Sequence, residues 1–339
     1  MSDIFKKKSA VIFTGLLSLI IAILIMGFGL FFIKPADKLG LEQVIIVPEG
    51  VTLKEVASTL EEKGIITNKT FFMLWTRLMG YGRKIKAGEY LLSSSMPPIR
   101  IIEILTRGII ITHAVTFPEG FSADQIAEML AEKGLVDKSE FISLTTDPDI
   151  LDKYGISGPS LEGFLYPDTY QFARGLSPES IIDVMINRFR EVVAPYMQLI
   201  ENSGFTMEEV ITLASIVEKE TGRAEERPII ASVFLNRIKK RMRLESDPTV
   251  IYGIKDFSGN LRRNDLSEPT PYNTYIIRGL PPGPIANPGI ESIRAVLYPA
   301  ETDFLYFVSK NDGSHFFSKS LEEHNRAVRA YQKTTPMSR

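Results

Sequence analysis

The sequence has no cysteine, only three histidines and a single tryptophan among its 339 residues. Without cysteine the chain has no disulfide, no thiolate ligand for zinc and no cysteine nucleophile. It has no Gly-Lys pair, which excludes the lysine of a P-loop, and no Gly-x-Ser-x-Gly or Ser-x-x-Lys, two common signatures of a serine nucleophile. The formal net charge is -2, so the chain lacks the basic excess that is typical of nucleic-acid-binding proteins.

The histidines give little indication of a metal site. None of His113, His315 and His324 lies in a His-Glu-x-x-His pattern. His315 and His324 are close in sequence to Glu322 and Glu323, and this group could bind a metal. A histidine at a strand end and another on a helix surface explain the same residues, so we expect neither a metal nor a cofactor.

An uncharged apolar run at the N-terminus covers residues 10–33. A helix of that length crosses a hydrocarbon layer of about 30 Å. A cleaved signal peptide is the alternative, but its apolar part is shorter, at about 7–15 residues. Lysines at 6–8 precede the run, so the positive-inside rule places residues 1–9 in the cytoplasm. The sequence therefore predicts a single-pass protein of the inner membrane, with residues 34–339 on its periplasmic side.

Two stretches of the chain resemble each other, residues 48–71 and residues 118–141. Nine of their 24 positions are identical, and both contain Pro-Glu-Gly and Glu-Lys-Gly at the same separation. Each follows an apolar run and offers an N-capping residue, Thr52 or Ser122, before an amphipathic helix that ends at a glycine. The pattern predicts strand, turn, helix and glycine stop twice, although capped helices also resemble one another by chance.

The first copy continues with a second predicted helix at about 68–79 and a short strand at 87–92. This strand-helix-helix-strand order resembles the LysM module, a small domain that binds wall glycans. A generic α/β spacer is the alternative. We predict a linker at 34–43 and a LysM-like or repeat α/β region over residues 44–150.

After residue 150 the pattern becomes helical and is interrupted by a long irregular segment. Helical periodicity covers three segments, residues 178–197, 207–221 and 225–241. Residues 279–289, GLPPGPIANPG, hold four prolines, which cannot donate to a strand ladder. A long ordered loop often carries function, and a structural wrap around the domain edge is the alternative.

The C-terminal segments complete this helical region after residue 150. Residues 303–310 are typical of a buried strand, and residues 320–332 of a capped helix. The predicted fold class is α+β: a single N-terminal transmembrane helix, LysM-like α/β material, and a helix-rich α+β catalytic domain over residues 151–339.

The helix predicted over residues 207–221 carries an unusual carboxylate. At about 100° per residue, its apolar side chains mark one face. Glu218 falls within that apolar sector, whereas Glu220 lies at its rim and Lys219 points to solvent. Partial desolvation raises the pKa of a carboxyl and keeps a proton available for general acid catalysis.

Cleavage of a glycosidic bond suits an isolated carboxylate of this kind. Ordinary glycosidases use two carboxylates. Sequence spacing cannot decide which second carboxylate approaches Glu218, and the candidates are Glu162, Asp168, Glu245 and Asp247. The structural alternative is a Glu218 that only forms a salt bridge with Arg223 or Arg227.

Five motifs closely resemble those of the endolytic murein transglycosylases, the YceG-like family, and occur in the family's order. They are ASIVEKETG (214–222), LEGFLYPDTY (161–170), SDPTVIYG (246–253), PYNTY with GLPPGPIANPG (271–289) and HFFSKSLEEHN (315–325). The resemblance runs from the N-terminal apolar run almost to the C-terminus.

The resemblance implies a membrane-anchored lyase that cuts glycan strands of peptidoglycan internally, between N-acetylmuramic acid and N-acetylglucosamine. The C6 hydroxyl of the muramic acid attacks its own C1, and a 1,6-anhydro end remains. One glutamate acts first as acid and then as base, and the family's glutamate before Lys-Glu-Thr is here Glu218. The resemblance also implies termination of strand elongation and association with peptidoglycan synthases.

The other motifs are expected to line a glycan groove. Amides and hydroxyls would bond N-acetyl and hydroxyl groups, and tyrosines would offer apolar faces to pyranose rings. Turn-capping polar residues and core tyrosines are the alternative explanation. The predicted substrate-binding residues are Glu162, Tyr166, Asp168, Asn236, Glu245, Asp247, Thr249, Tyr272, Asn273, Thr274 and Tyr275.

Glu245 departs from the family, in which glutamine often precedes Ser-Asp-Pro-Thr. If Glu245 faces the groove, a second carboxylate joins the site and raises the pKa of Glu218 further. A true hydrolase with a second carboxylate therefore remains an alternative. The other alternative is a non-enzymatic wall tether, in which the repeats bind glycan and Glu218 is structural.

Overall fold

The computed structural model describes residues 32–255, 257 and 259–332, together with residues 13, 15–20, 22, 26, 27 and 29. The chain divides into two compact units. The first unit comprises the residues up to His113 together with Gln171–Ser177. The second unit comprises Ala114–Tyr170 and the residues from Pro178 onward. The domain bounds predicted from the sequence stay a prediction.

The predicted fold class included a membrane-spanning N-terminal helix, and this part is wrong for the residues that the structure describes. Among them, no helix is both long enough and apolar enough to cross a bilayer. Part of the predicted span lies outside the described residues, namely residues 10–12, 14, 21, 23–25, 28, 30 and 31.

The first unit is built around a two-stranded antiparallel sheet. Helices α1 (Leu53–Glu62) and α2 (Lys69–Leu78) lie in sequence between strands β1 (Glu42–Val47) and β2 (Gly88–Ser93), and α3 (Pro98–Arg107) follows. The predicted strand-helix-helix-strand order is confirmed. The likeness to a LysM module has no further support and is withdrawn.

Apolar side chains from the sheet and all three helices form the core of the first unit. Alternate residues of β1 are buried, as expected of a strand with one face on a core. The most deeply buried members include Ile45, Leu60, Phe72, Tyr90 and Ile101.

The second unit is helix-rich. Strands β3 (His113–Thr116) and β4 (Thr169–Phe172), each of which has residues in this unit, pair with each other, as do β5 (Tyr306–Ser309) and β6 (His315–Ser318). Its helices are α4 (Ala123–Glu132), α5 (Lys138–Thr145), α6 (Pro148–Tyr154), α7 (Pro178–Val193), α8 (Met197–Ser203), α9 (Met207–Glu220), α10 (Arg227–Lys239), α11 (Asp247–Gly253), α12 (Ile290–Leu297) and α13 (Leu321–Tyr331).

Both copies of the sequence repeat fold as predicted. Thr52 and Ser122 each close a capping box at the start of α1 and α4. Glycines in the left-handed conformation follow both helices. In each Pro-Glu-Gly turn the glycine also has a positive φ, 81° at Gly50 and 79° at Gly120. The turn therefore favours glycine in both copies.

Helix α9 is buried on every side from Val210 to Val217. Even its polar Thr212 and Ser215 are buried. The single apolar face predicted from the helical angles is therefore wrong, because α10 and α12 both pack against this helix. The contacts of Glu218, rather than its angle on the helix, distinguish it from its neighbours.

The C-terminal strand is shorter and less buried than predicted. Residues 303–310 were expected to form a buried strand, but β5 covers only Tyr306–Ser309 and all four of its residues are half-buried. The antiparallel pair of β5 and β6 has solvent on part of its surface, because only some of its side chains pack against α10 and α13.

Candidate active site

The last turn of α9 carries the three residues that the sequence singled out. Lys219 is exposed, as predicted, and its Nζ donates to the carbonyl of Gly120 over 3.2 Å. Glu218 and Glu220 are both partly buried as whole residues and enter different sets of contacts. The helix ends because Thr221 takes an extended conformation.

Glu218 is held by a donor on each carboxylate oxygen. Arg227 Nη2 donates to its Oε1 over 3.0 Å, and the backbone N–H of Gly289 donates to its Oε2 over 3.0 Å. The side chain of Glu218 is only 6% exposed, and that of Arg227 is 11% exposed. The salt bridge considered as a structural alternative is thus present, at Arg227.

A second carboxylate shares the same arginine. Arg227 Nη2 lies 3.7 Å from Glu119 Oε2, and the Glu119 side chain is 44% exposed. Burial raises the pKa of Glu119, the negative charge of Glu218 raises it further, and the guanidinium of Arg227 opposes both effects. Of the two carboxylates, Glu119 is the one that a ligand can reach from solvent.

The Pro-Glu-Gly turn of the second repeat copy brings Glu119 to this place. A Cβ at Gly289 would lie 1.9 Å from Glu119 Oε1, so only glycine leaves room for the carboxylate. A Cβ at Gly120 would lie 3.4 Å from Glu218 Cγ. Because Gly120 and Gly289 have no side chain, the Pro-Glu-Gly turn and the proline-rich loop can both approach the end of α9.

Asn287 ties those segments together. Its Oδ1 accepts from the N–H groups of Gly163 and Leu165, both at 2.9 Å. Its Nδ2 donates to the carbonyl of Phe121 and to Glu162 Oε1, again at 2.9 Å. Its backbone also bonds Phe121 and Gly120. The proline-rich loop is therefore an ordered element that delivers the N–H of Gly289, two residues later, to Glu218.

Glu162 lies beneath this loop and is 3% exposed. Its carboxylate accepts the N–H of Ala123 at the first residue of α4 and the hydroxyl of Tyr252. Burial raises the pKa of Glu162 to about 7, although these donors and Asn287 favour the charged form. Glu162 joins three chain segments but does not face solvent.

Tyr166 and Asp168 lie on the segment that leads into β4. Tyr166 is buried, its carbonyl accepts from Tyr170, and burial together with the charge of Glu119 raises its pKa. Asp168 is more exposed and pairs with Arg188 Nε at 2.8 Å. The charge of Glu119 thus acts on Tyr166, whereas Asp168 forms an ion pair with Arg188.

Glu220 belongs to a second polar cluster. It accepts from Ser246 Oγ, and burial raises its pKa to about 7, helped by the charge of Asp247. Thr249 and Thr274 lie against Ser246: the two threonine hydroxyls are 2.8 Å apart, and Thr274 Oγ1 accepts the N–H of Ser246. Both threonines are fully buried.

Asp247 and Tyr275 form the outer part of the second cluster. The Tyr275 hydroxyl donates to Asp247 Oδ1 over 2.6 Å, and burial raises the pKa of this tyrosine. Glu245 is nearby and bonds Arg237 Nη1 at 3.0 Å. Its φ of 54° is unusual for a residue other than glycine.

The remaining predicted residues make internal contacts. Asn236 donates to the carbonyls of Thr302 and Phe304. Asn273 is fully buried and holds its own loop through backbone carbonyls. The ring of Tyr272 packs edge-on against Tyr252 at 4.8 Å between centroids.

The histidines take ordinary structural positions. His315 Nδ1 lies 2.6 Å from Glu226 Oε2, and the ring of His324 stacks on Tyr306. Among the described residues no group of three or more acidic, histidine or cysteine side chains could hold a metal ion.

Sequence reasoning singled out Glu218 but missed Glu119, Asn287 and Gly289, the residues that share or support its contacts. The signal for Glu119 was its position in a repeated motif whose two copies could be compared. The signal for the other two was the Asn-Pro-Gly at the end of the proline-rich segment. In the described part of the chain, the four candidate partner carboxylates bond other side chains: Tyr252 and Asn287 for Glu162, Arg188 for Asp168, Arg237 for Glu245 and Tyr275 for Asp247.

Comparison with known proteins gives a matching family model and similar relatives from bacteria. The model of the YceG-like family matches residues 45–330. An endolytic murein transglycosylase of Bacillus subtilis (strain 168) is 33% identical over 321 residues, covering 90% of this chain and 89% of that protein. An endolytic murein transglycosylase of Streptococcus pneumoniae is 29% identical over 318 residues, covering 83% of this chain and 57% of that protein.

A solved structure agrees with this result. The crystal structure of a YceG-like protein from Listeria monocytogenes is similar with a TM-score of 0.60 and 34% sequence identity. The similarity covers 85% of this chain and 99% of that one.

Proposed function

The chain belongs to the YceG-like family, and from that premise we propose that it is an endolytic lytic transglycosylase of peptidoglycan. It cleaves the bond between N-acetylmuramic acid and N-acetylglucosamine inside a glycan strand. The C6 hydroxyl of the muramic acid forms the new bond to C1, so no water is consumed and a 1,6-anhydro end results.

Glu218 is the proposed catalytic general acid and base. The observation that carries this assignment is the pair of donors that fixes both of its oxygens, one from Arg227 and one from Gly289. A fixed carboxylate beside an accessible surface is what proton transfer requires, because the catalytic group must already have the right orientation when the sugar arrives. In the simplest cycle this one residue protonates the leaving oxygen and then deprotonates the C6 hydroxyl.

The second polar cluster is the proposed support of the glycan groove. Tyr275 and Asp247 form its outer part, with Asp247 at the first residue of α11. The buried Thr249 and Thr274 hold that part against the end of α9. Sugar hydroxyl and N-acetyl groups would meet the outer pair, whereas the buried threonines would act by positioning.

The proposed substrate also sets the place of action. Glycan strands lie outside the cytoplasm, so the catalytic body works on the extracytoplasmic side of the inner membrane. Cuts made inside newly made strands would terminate their elongation, and association with peptidoglycan synthases would bring the enzyme to them. A pull-down of the enzyme with peptidoglycan synthases tests the proposed association.

Analysis of the released products tests the reaction. Purified enzyme is incubated with uncross-linked glycan strands, and the products are identified by mass spectrometry. We expect 1,6-anhydro ends from the native enzyme and none above background from Glu218→Gln. Full activity in this variant would refute the assignment of Glu218, and reducing ends in place of anhydro ends would refute the lyase reaction.

A hydrolase is the second candidate, and one observation favours it. Glu119 and Glu218 contact the same arginine, so two carboxylates are available in one site, as in ordinary glycosidases. A hydrolase would incorporate one oxygen atom from water at the new end. The reaction in 18O-labelled water therefore distinguishes the two reactions in a single mass spectrum.

A further inference from the structure

The contacts of Glu218 raise the question of where the first proton comes from. Both of its oxygens accept hydrogen bonds, one from a guanidinium and one from a backbone N–H. A carboxyl group arranged in this way is an acceptor, the form that a base takes. The leaving oxygen of the glycosidic bond, however, needs a donor.

Glu119 is the carboxyl that satisfies the geometric requirements for a donor. It contacts Arg227 at 3.7 Å on the same Nη2 atom that bonds Glu218. It lies against the Cα of Gly289, whose N–H bonds Glu218. With 44% of its side chain exposed, it can touch a sugar in the groove, whereas Glu218 is 6% exposed.

We propose that Glu119 is a second catalytic residue, which donates a proton to the leaving oxygen while Glu218 accepts the proton of the C6 hydroxyl. The inference rests on the proposed function and divides its two proton transfers between two side chains. The C1–O4 bond breaks, and O4 takes the proton of Glu119. The C1–O6 bond forms as the C6 hydroxyl proton passes to Glu218. Solvent then exchanges both protons, and no co-reactant is needed.

The charges around Glu119 are consistent with a proton donor. Its burial and the neighbouring negative charges of Glu218 and Glu291 raise its pKa, while Arg227 lowers it. Protonated Glu119 would also reduce the repulsion between the two carboxylates on either side of Arg227.

The repeat supplies a matched control for the test. Glu49 occupies the same position as Glu119 in the first Pro-Glu-Gly turn, and its carboxylate accepts the backbone N–H of Ser177 within the first unit. Glu49→Gln and Glu119→Gln therefore make the same chemical change in the same local turn. Melting temperatures of both variants report whether the fold is kept.

The decisive experiment compares two substrates. The first is a natural glycan strand. The second is a glycan fragment whose terminal N-acetylmuramic acid carries a 4-nitrophenoxy group at C1, which departs as 4-nitrophenolate. The nitrophenolate leaves without protonation. We expect Glu119→Gln to lower kcat on the natural strand by about 100-fold with little change in KM, as loss of a general acid does. We expect it to retain nearly native activity on the nitrophenyl substrate, and Glu218→Gln to be inactive on both.

The pH profile adds a second readout. A required donor makes kcat fall as the pH rises past its pKa, and Glu119→Gln should lose this alkaline limb, whereas Glu49→Gln should keep it. Native activity of Glu119→Gln on the natural strand would overturn the inference. So would an equal loss on both substrates, which would mean that Glu119 only positions Arg227 and Gly289. Product analysis of the native enzyme tests the proposed function separately from this comparison.

Discussion

Replacing Asn287 by alanine tests the loop that delivers the Gly289 N–H to Glu218. The asparagine side chain makes four hydrogen bonds of 2.9 Å, two accepted from Gly163 and Leu165 and two donated to Phe121 and Glu162. Three of the four lie in the buried interior, where water does not replace a lost partner, and the bond to Phe121 is partly buried.

The magnitude follows from what the substitution leaves behind. The carbonyl of Phe121 still accepts the backbone N–H of residue 287, and the Glu162 carboxylate still accepts from Ala123. The main loss is the acceptor of two buried N–H groups, and each unsatisfied buried donor costs about 1–3 kcal/mol. We expect Asn287→Ala to lower the free energy of unfolding of the second unit by about 3 kcal/mol, which is roughly 10 °C in Tm.

Differential scanning calorimetry and kcat on glycan strands check this prediction together. Asn260→Ala, at an exposed asparagine, is the control and should change neither value measurably. Asn287→Asp keeps an acceptor for both N–H groups but sets a second carboxylate against Glu162. The loss of unfolding free energy in this variant should therefore grow as the pH rises. If Asn287→Ala costs less than about 1 kcal/mol, the hydrogen bonds of the loop do not carry the stability that we assign to them.

Three further predictions follow from the contacts at the end of α9. Arg227→Met removes the cation between the two carboxylates, so kcat should fall by about 100-fold and the unfolding free energy by about 3 kcal/mol, measured by product release and urea denaturation. Gly289→Ala would place a methyl group on the second carboxylate of the site, whose flexible end can move away; we expect a loss of kcat without a loss of Tm, and Gly158→Ala, which meets no close atom, should show neither. Burial raises the pKa of Glu220 from 4.5 to about 7, so the native state binds a proton that the unfolded state releases; stability should fall as the pH rises through this window, and Glu220→Gln should flatten the fall in denaturation curves from pH 4 to 8.

Local sequence patterns were sufficient to predict the helices of the repeat and where they end. The capping residues Thr52 and Ser122 and the glycine stops act within one helical turn, so the sequence contains all of the interactions that set the ends of α1 and α4. The long α7, α9 and α10 were also predictable, since their apolar periodicity extends over several turns.

The helical angles singled out Glu218, which lies at the candidate site. They did so by assuming that α9 has a single apolar face, and the structure contradicts this assumption. The sequence shows the polarity of α9 but not how many neighbours surround it, and its burial on all sides follows from packing by α10 and α12. The same limit applies to Glu220. Its raised pKa depends on burial beside Ser246, which the order of residues along one helix does not reveal.

The second carboxylate could not be found from spacing. The sequence candidates were chosen for their motifs, but Glu119 reaches Arg227 because Gly289 has no side chain and because Asn287 fixes the loop. These are contacts between residues more than a hundred positions apart, and a single sequence contains no local signal for them. Comparing the two repeat copies was the one route to Glu119, since the glutamate is retained in both.

The long sequence separation within the site has a consequence for biosynthesis. Gly289 follows Glu218 by 71 positions, and Asn287 follows Phe121 by 166. A ribosome that has completed α9 has therefore made Glu218 but not the loop that orients it. A chain truncated before Gly289 would carry the glutamate without one of its two donors, so the orientation that we assign to the catalytic carboxylate would arise only once translation has passed the proline-rich loop.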